Sequence, residues 1–141
     1  VQQMEKIKKS ESMEAIAQKV IEEHKEDFDW IEYEEIKIAY VYSDKEKRQQ
    51  GRKVFGECRK ADPTTKELAQ CDFIITFYEP NTRRFSEKQL YILMYHELLH
   101  ASMKSGNTAM QPHDYVVGDF RKIVEKYGAD WAEPGKDEAA E

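Results

Sequence analysis

Cysteine is scarce in this chain: Cys58 and Cys71 are the only two in 141 residues. Two thiols cannot make the disulfide framework of a small secreted domain, and these lack the close pairing of a zinc ribbon. They read as reduced residues of a core or a strand. Long apolar runs are absent as well. No stretch of about 18 apolar residues occurs, so nothing is expected to span a membrane. The opening VQQMEKIKKS has no apolar core of a secretory leader, and the expected setting is the cytoplasm. An excess of positive charge is also missing. With 22 Lys and Arg against 28 Asp and Glu, the net charge is −6, which gives no general case for nucleic-acid binding. No internal repeat is found.

What is present is charge and aromaticity. Charged residues make up 35% and aromatic residues 11% of the chain. The aromatic content argues against wholesale disorder, and the length suits one domain with a modest core. The charge is unevenly spread. Residues 1–35 hold eleven acids and five bases, whereas residues 45–60 hold seven bases (Lys45, Lys47, Arg48, Arg52, Lys53, Arg59, Lys60) and two acids. The expected domain covers residues 1–132, with 1–9 flexible and 133–141 a disordered acidic tail.

The pattern along the chain is α+β. Residues 10–28 predict an amphipathic helix capped by Ser10 or Ser12, with Ile16, Val20, Ile21 and Phe28 as its buried stripe. His24 falls near that stripe but sits among charges, so it reads as a solvated or helix-end residue. Three strand-like runs follow: Ile36–Ser43, the weaker Lys53–Ala61, and Cys71–Glu79, the last nearly continuous in apolar residues. The segment around Gln50 and Gly51 reads as a hairpin turn, and Asp62-Pro63-Thr64-Thr65 as a turn or the start of a short helix. These runs predict a small, mainly antiparallel sheet of about three strands.

A second helix begins at Ser86, which forms a capping-box pattern with Gln89 three residues on. From Leu90 to Met103 it is apolar almost all round, so it must be covered on every side. The cover expected is the sheet on one side and a helix at about Asp114–Tyr127 on the other, with Val116, Phe120, Ile123, Val124 and Tyr127 on one face. Gly128 is placed to end that helix, and Trp131 to pack back after it.

The central helix carries YHELLH, residues 95–100. His96 and His100, four apart, share one helix face, so their ring nitrogens can converge on one ion at about 2.0–2.1 Å. Glu97 lies about 100° further round, within reach of a water beside that ion. This is the H-E-x-x-H pattern of zinc peptidases, with the glutamate as general base. Bound zinc lowers the pKa of water to roughly 7 and polarises the scissile carbonyl; the glutamate takes a proton and returns it to the leaving amine. An incidental helix would leave two histidines and a glutamate buried without partners, which is costly. A metal supplies the partners.

A third ligand is expected downstream. The metzincin pattern needs glycine three and histidine six residues past His100, and Met103 and Gly106 stand there, which excludes it. His113 is the preferred ligand: the loop KSGNTAMQ can reverse the chain, and His113 shares a face with Val116, Phe120, Ile123 and Val124. Asp114 is an alternative ligand, or a helix cap, or a carboxylate orienting an imidazole. Asp119 and Glu125 lie off the apolar stripe and read as solvated, although thermolysin-type enzymes place a glutamate ligand on a later helix, which keeps Glu125 open. Tyr115 and Tyr95 are candidate oxyanion donors, or plain core aromatics.

Taken together, DFIITFYEP, the capped helix with YHELLH, and PHDYVVGDFRKIVEKYGADW resemble the phage metallopeptidase family over roughly residues 30–131. The resemblance implies a zincin-like fold of thermolysin-like ancestry, one Zn²⁺, a protein or peptide substrate, and an origin in phage or prophage DNA. It carries over His96 and His100 as ligands, Glu97 as base and His113 as the downstream histidine. By analogy with related peptidases, an extended substrate would pair with the edge of the sheet, at Cys71–Glu79 or its neighbour. Two other readings stand beside it. One is a DNA-associated SprT-like protease using segment 45–60, which otherwise reads as a solvated turn balancing the acidic N-terminal helix. The other is a catalytically silent zinc-binding interaction module, for which Glu97 would have no use.

Overall fold

The computed structural model describes residues 5–113 and 119–133. The expected acidic tail, but for Glu133, lies outside them. The chain enters as a short strand, β1 (Ile7–Lys9), where a flexible segment was expected. Ser10 then caps α1 (Glu11–Glu23) by accepting from the Met13 N–H at 3.1 Å. Met13, Ala17 and Val20, at helical spacing, are completely buried. The helix does not run on to residue 28 as expected. It breaks at His24 (φ −128°, ψ 53°), and α2 (Lys25–Tyr33) starts there in a new direction. His24 sits at a helix end but is not solvated: its ring stacks on Tyr95 at 4.1 Å, and it is 5% exposed. That stacking gives the break a packing reason.

Next come β2 (Ile38–Ser43) and a two-stranded hairpin of β3 (Arg48–Gln49) and β4 (Arg52–Lys53). Gln50 and Gly51 both take positive φ, 53° and 78°, the signature of a type I′ turn. The chain continues through β5 (Gly56–Lys60) into α3 (Pro63–Ala69). Asp62 caps α3 through the Thr65 N–H at 2.7 Å, with Pro63 in the first turn where its missing donor costs nothing. Then follow β6 (Phe73–Tyr78), the single turn α4 (Glu79–Thr82) and α5 (Glu87–His100).

Four strands, not three, form the main sheet, in the order β1-β2-β6-β5. It is mixed. β2 and β6 run parallel from Ile38↔Phe73 to Ser43↔Tyr78, while β1 and β5 pair antiparallel at the two edges. Two of its three pairings are antiparallel, as expected, and the central one is parallel, which makes the sheet mixed. The connection from β2 detours through β5 and α3, and β6 returns between its two predecessors. That location explains its composition: Phe73, Ile75 and Phe77 are fully buried on one face, and Thr76 and Tyr78 are buried on the other. An interior strand covered on both sides reads as a continuous apolar run.

The capping box of α5 forms as its sequence predicts. The Gln89 N–H donates to Ser86 Oγ at 3.1 Å, and the Ser86 N–H donates to Gln89 Oε1 at 3.0 Å. Ile92, Leu93, Met94, Tyr95 and Leu98 join one apolar cluster with Ile75 and Phe77 of the sheet, Met13, Ala17 and Val20 of α1, and Phe120, Ile123 and Trp131. After His100 the backbone turns extended at Ala101. The expected loop is a second hairpin, β7 (Ala101–Lys104) and β8 (Asn107–Met110), again turning on two positive-φ residues, Ser105 and Gly106. The last element is α6 (Arg121–Tyr127), ended by Gly128 at φ 86°. It is shorter than the expected Asp114–Tyr127 helix: Phe120 is extended (ψ 132°), and residues 114–118 lie outside the described part. Among the described residues no helix is long and apolar enough to cross a membrane.

Candidate metal centre

Three elements bring the histidines together. His96 and His100 occupy the last two turns of α5. The β7–β8 hairpin then folds the chain back on itself, pairing Ala101 with Met110. That return delivers Gln111 to the helix end, where its N–H donates to the His100 carbonyl at 2.6 Å and its own carbonyl lies 2.8 Å from His100 Nδ1. Two residues further on, His113 Nε2 reaches to 2.8 Å from His96 Nε2. The three rings form a triangle with centroid separations of 5.2, 4.6 and 4.5 Å. Phe120 closes one side, its ring 5.4, 4.9 and 5.1 Å from those of His96, His100 and His113. One ring nitrogen from each histidine lies within 4.8 Å of the other two.

Asp119 is the residue that sequence reasoning misjudged. Helical phase puts it off the apolar stripe and predicts a solvated side chain. Asp119 and Phe120 precede α6 in non-helical backbone, so that phase does not apply to them. One carboxylate oxygen lies 2.8 Å from His96 Nδ1 and accepts from the Phe120 N–H at 2.6 Å; the other accepts from Trp131 Nε1 at 3.0 Å. The approach to His96 is close but bent, and Nδ1 is otherwise a buried nitrogen without a linear hydrogen bond. Glu125 is exposed, as expected. Asp114 and Tyr115 lie outside the described residues. Tyr95 donates its hydroxyl to Asp27 Oδ2 at 2.8 Å, toward α2, so it is a core aromatic and not a donor beside the imidazoles.

Protonation follows from burial and charge. Burial lowers the pKa of His100 to about 4, and it lowers that of His113 too, so both rings are neutral at pH 7 with lone pairs to offer. Burial acts in the same direction on His96, but the Asp119 contact and the charges of Glu97 and Asp119 outweigh it and raise its pKa. For Asp119, burial alone would raise the pKa; the His96, Trp131 and Phe120 contacts pull it down to about 2. Glu97 is the opposite case. It is 4% exposed, and burial, reinforced by the charges of Glu57 and Asp119 and only partly offset by His96, lifts its pKa to about 7.

Glu97 lies under the edge of the sheet. A Cβ built on Gly56 would be 3.4 Å from Glu97 Oε2 and about as close to Phe77 and to the Thr76 carbonyl as packing tolerates. The β5–β6 ladder includes the bonds from Tyr78 N–H to Phe55 O and from Ala61 N–H to Asp72 O. By the alternation of an antiparallel pair, the backbone groups of Gly56 and Cys58 point away from β6, to the open edge. The edge strand on the Glu97 side is therefore β5, the neighbour of β6, and not Cys71–Glu79 itself, while β1 forms the opposite edge.

The sequence, compared with known families, matches one described as "Putative phage metallopeptidase" over residues 5–137. The chain belongs to that family. No curated protein and no solved structure gives a significant match.

Membership implies a metal, and the residues present fit one. The facing Nε2 atoms of His96 and His113 lie 2.8 Å apart, a contact that one shared proton satisfies in the metal-free protein. A cation can take the place of that proton, and a borderline-soft divalent ion takes such an all-imidazole set readily. The Nδ1 contacts to Asp119 and to the Gln111 carbonyl direct the Nε2 atoms of His96 and His100 toward the centre, the usual arrangement for metal-binding imidazoles. A second grouping, His24, Glu26 and Asp27, also brings three possible ligand atoms within 4.8 Å. There, however, the Asp27 carboxylate is already taken by Lys122 Nζ and the Tyr95 hydroxyl.

The basic segment 45–60 is partly self-neutralised. Lys47 Nζ donates to Glu57 Oε2 at 2.7 Å, and Arg48 lies 3.7 Å from Glu46, while Arg52 and Lys53 are exposed.

Proposed function

We infer that this member of the family is a zinc-dependent peptidase in which His96, His100 and His113 hold one ion and Glu97 is the general base. The observation that carries the reading is the joint arrangement of three converging imidazoles and a buried carboxyl beside them on the same helix. When bound, the ion supplies Lewis acidity, polarising a carbonyl and making water more acidic. The chain does the rest. The two neutral rings and the Asp119-held His96 supply the donor set. Glu97, whose pKa burial lifts to about 7 in the metal-free protein, holds a proton more readily than an ordinary carboxylate, which suits a group that must accept a proton and give it back. Its burial keeps bulk water from competing for that proton. The outward N–H and C=O groups of Gly56 and Cys58 suit an extended peptide added as a further strand, and the missing side chain at Gly56 keeps the space between that strand and Glu97 clear. The order of the sheet, with an antiparallel edge strand above the HExxH helix, is what a zincin-like domain over residues 1–132 would have.

Glu97→Gln tests the reading. The variant should bind one equivalent of zinc as the wild type does and lose cleavage of an unstructured protein such as casein by a factor of at least about 10². Unchanged proteolysis would overturn the assigned role of Glu97; a wild type that takes up zinc yet cleaves nothing, while still exposing the centre, would favour the silent binding module.

A further inference from the structure

Gln89 and Trp131 are 42 residues apart and both buried, at 1% and 6% exposure. Neither touches the imidazole triangle through an ordinary ligand atom, yet both lead to it. Gln89 has one acceptor and two donors in its amide, and all three are used. Its Oε1 caps α5, and its Nε2 donates to the Trp131 carbonyl at 3.1 Å and to the Glu133 carbonyl at 2.7 Å. An amide used up in this way fixes the turn around Trp131 against the first turn of α5. His96 is seven residues after Gln89, two helical turns along the same face and about 10 Å away. Trp131 spans that interval. Its backbone is held at Gln89, its ring packs on Phe85 (centroids 6.5 Å) and lies 6.0 Å from the His96 ring, and its Nε1 donates to Asp119. The other Asp119 oxygen reaches His96 Nδ1.

The geometry points to a brace: the C-terminal turn holds Asp119, and through it His96, so that Trp131 and Gln89 are positioning residues that set the affinity of the metal centre. This rests on the metallopeptidase reading above. An Asp119 without the indole N–H keeps a charge but loses its fixed orientation, and the His96 ring loses the partner that directs its Nε2 at the ion. Outer partners of this kind typically change metal affinity 10–100-fold.

The test measures zinc dissociation constants by chelator competition, with cobalt(II) visible spectra as a second readout. Trp131→Phe removes the N–H and keeps a ring; a second variant, Trp131→benzothienylalanine, keeps the bicycle and exchanges only the N–H for sulfur. Phe85→Leu disturbs the packing of the same ring without touching the hydrogen bond. Both Trp131 variants should weaken zinc binding by about tenfold or more and shift the cobalt bands, while Phe85→Leu stays within about twofold. Wild-type affinity in the benzothienylalanine protein, or equal losses in Phe85→Leu, would overturn the brace and leave the metallopeptidase reading standing. A wild type that binds no metal would overturn both.

Discussion

Glutamine in place of Glu97 should make the metal-free protein more stable at alkaline pH, and the size of the effect follows from burial. The carboxyl moves from 4.5 to about 7 on folding. A raised carboxyl pKa means that the folded state holds the proton more tightly than the unfolded chain. The cost of the buried charge is therefore absent below pH 4.5, grows as pH rises through 4.5 to 7, and is complete above 7. At about 1.4 kcal/mol per pH unit, that gap is roughly 3 kcal/mol. Glutamine has nearly the same shape and no charge to bury. In urea unfolding followed by tryptophan fluorescence, with a chelator present, Glu97→Gln should gain about 3 kcal/mol over wild type at pH 8.5 and less than about 1 kcal/mol at pH 5. Comparing the two pH values removes any fixed effect of the amide itself. A stability difference that is the same at both would refute the claim that burial keeps this carboxyl protonated near neutrality. Such a group, costly to the fold and useful to a reaction, is what a functional carboxyl is expected to be.

Two further outcomes follow from the packing around the helix. Gly56→Ala would place a methyl 3.1 Å from Phe77 Cδ1 and 3.2 Å from the Thr76 carbonyl; thermal unfolding should show a loss of about 1–3 kcal/mol from overpacking, and an unchanged melting temperature would mean that the edge strand shifts freely. Gln89→Leu removes half of the capping box and leaves the Trp131 and Glu133 carbonyls without their donor; chemical unfolding should register a loss of roughly 2–4 kcal/mol, and a loss below about 0.5 kcal/mol would contradict the anchoring of the C-terminal turn.

The parts legible in the sequence are those governed by local rules. The capping box at Ser86, the all-round apolar helix after it, the turn at Gln50-Gly51 and the apolar run of β6 each follow from a few adjacent residues. The pair His96 and His100 is legible for the same reason, since four-residue spacing fixes a helix face. What was not legible depends on contacts distant in sequence. β1 is a strand because it pairs with β2, and all three of its residues are exposed. The parallel pairing of β2 with β6 is decided by how β5 and α3 route the chain. His24 interrupts its helix because a ring of α5 is there to stack on. Asp119 escapes a sequence reading because it and Phe120 precede α6 in non-helical backbone, where helical phase does not apply, and no composition signal marks where α6 begins.

The central claim is that three imidazoles from α5 and from the strand return after it share one divalent ion. Zinc K-edge X-ray absorption on protein reconstituted with one equivalent of zinc tests it most directly. The account predicts three imidazole nitrogens at about 2.0–2.1 Å, one further light atom, and no sulfur at about 2.3 Å; in His113→Ala the imidazole count should fall to two. A spectrum with sulfur in it, an imidazole count untouched by that substitution, or a protein that retains no zinc at all would contradict it.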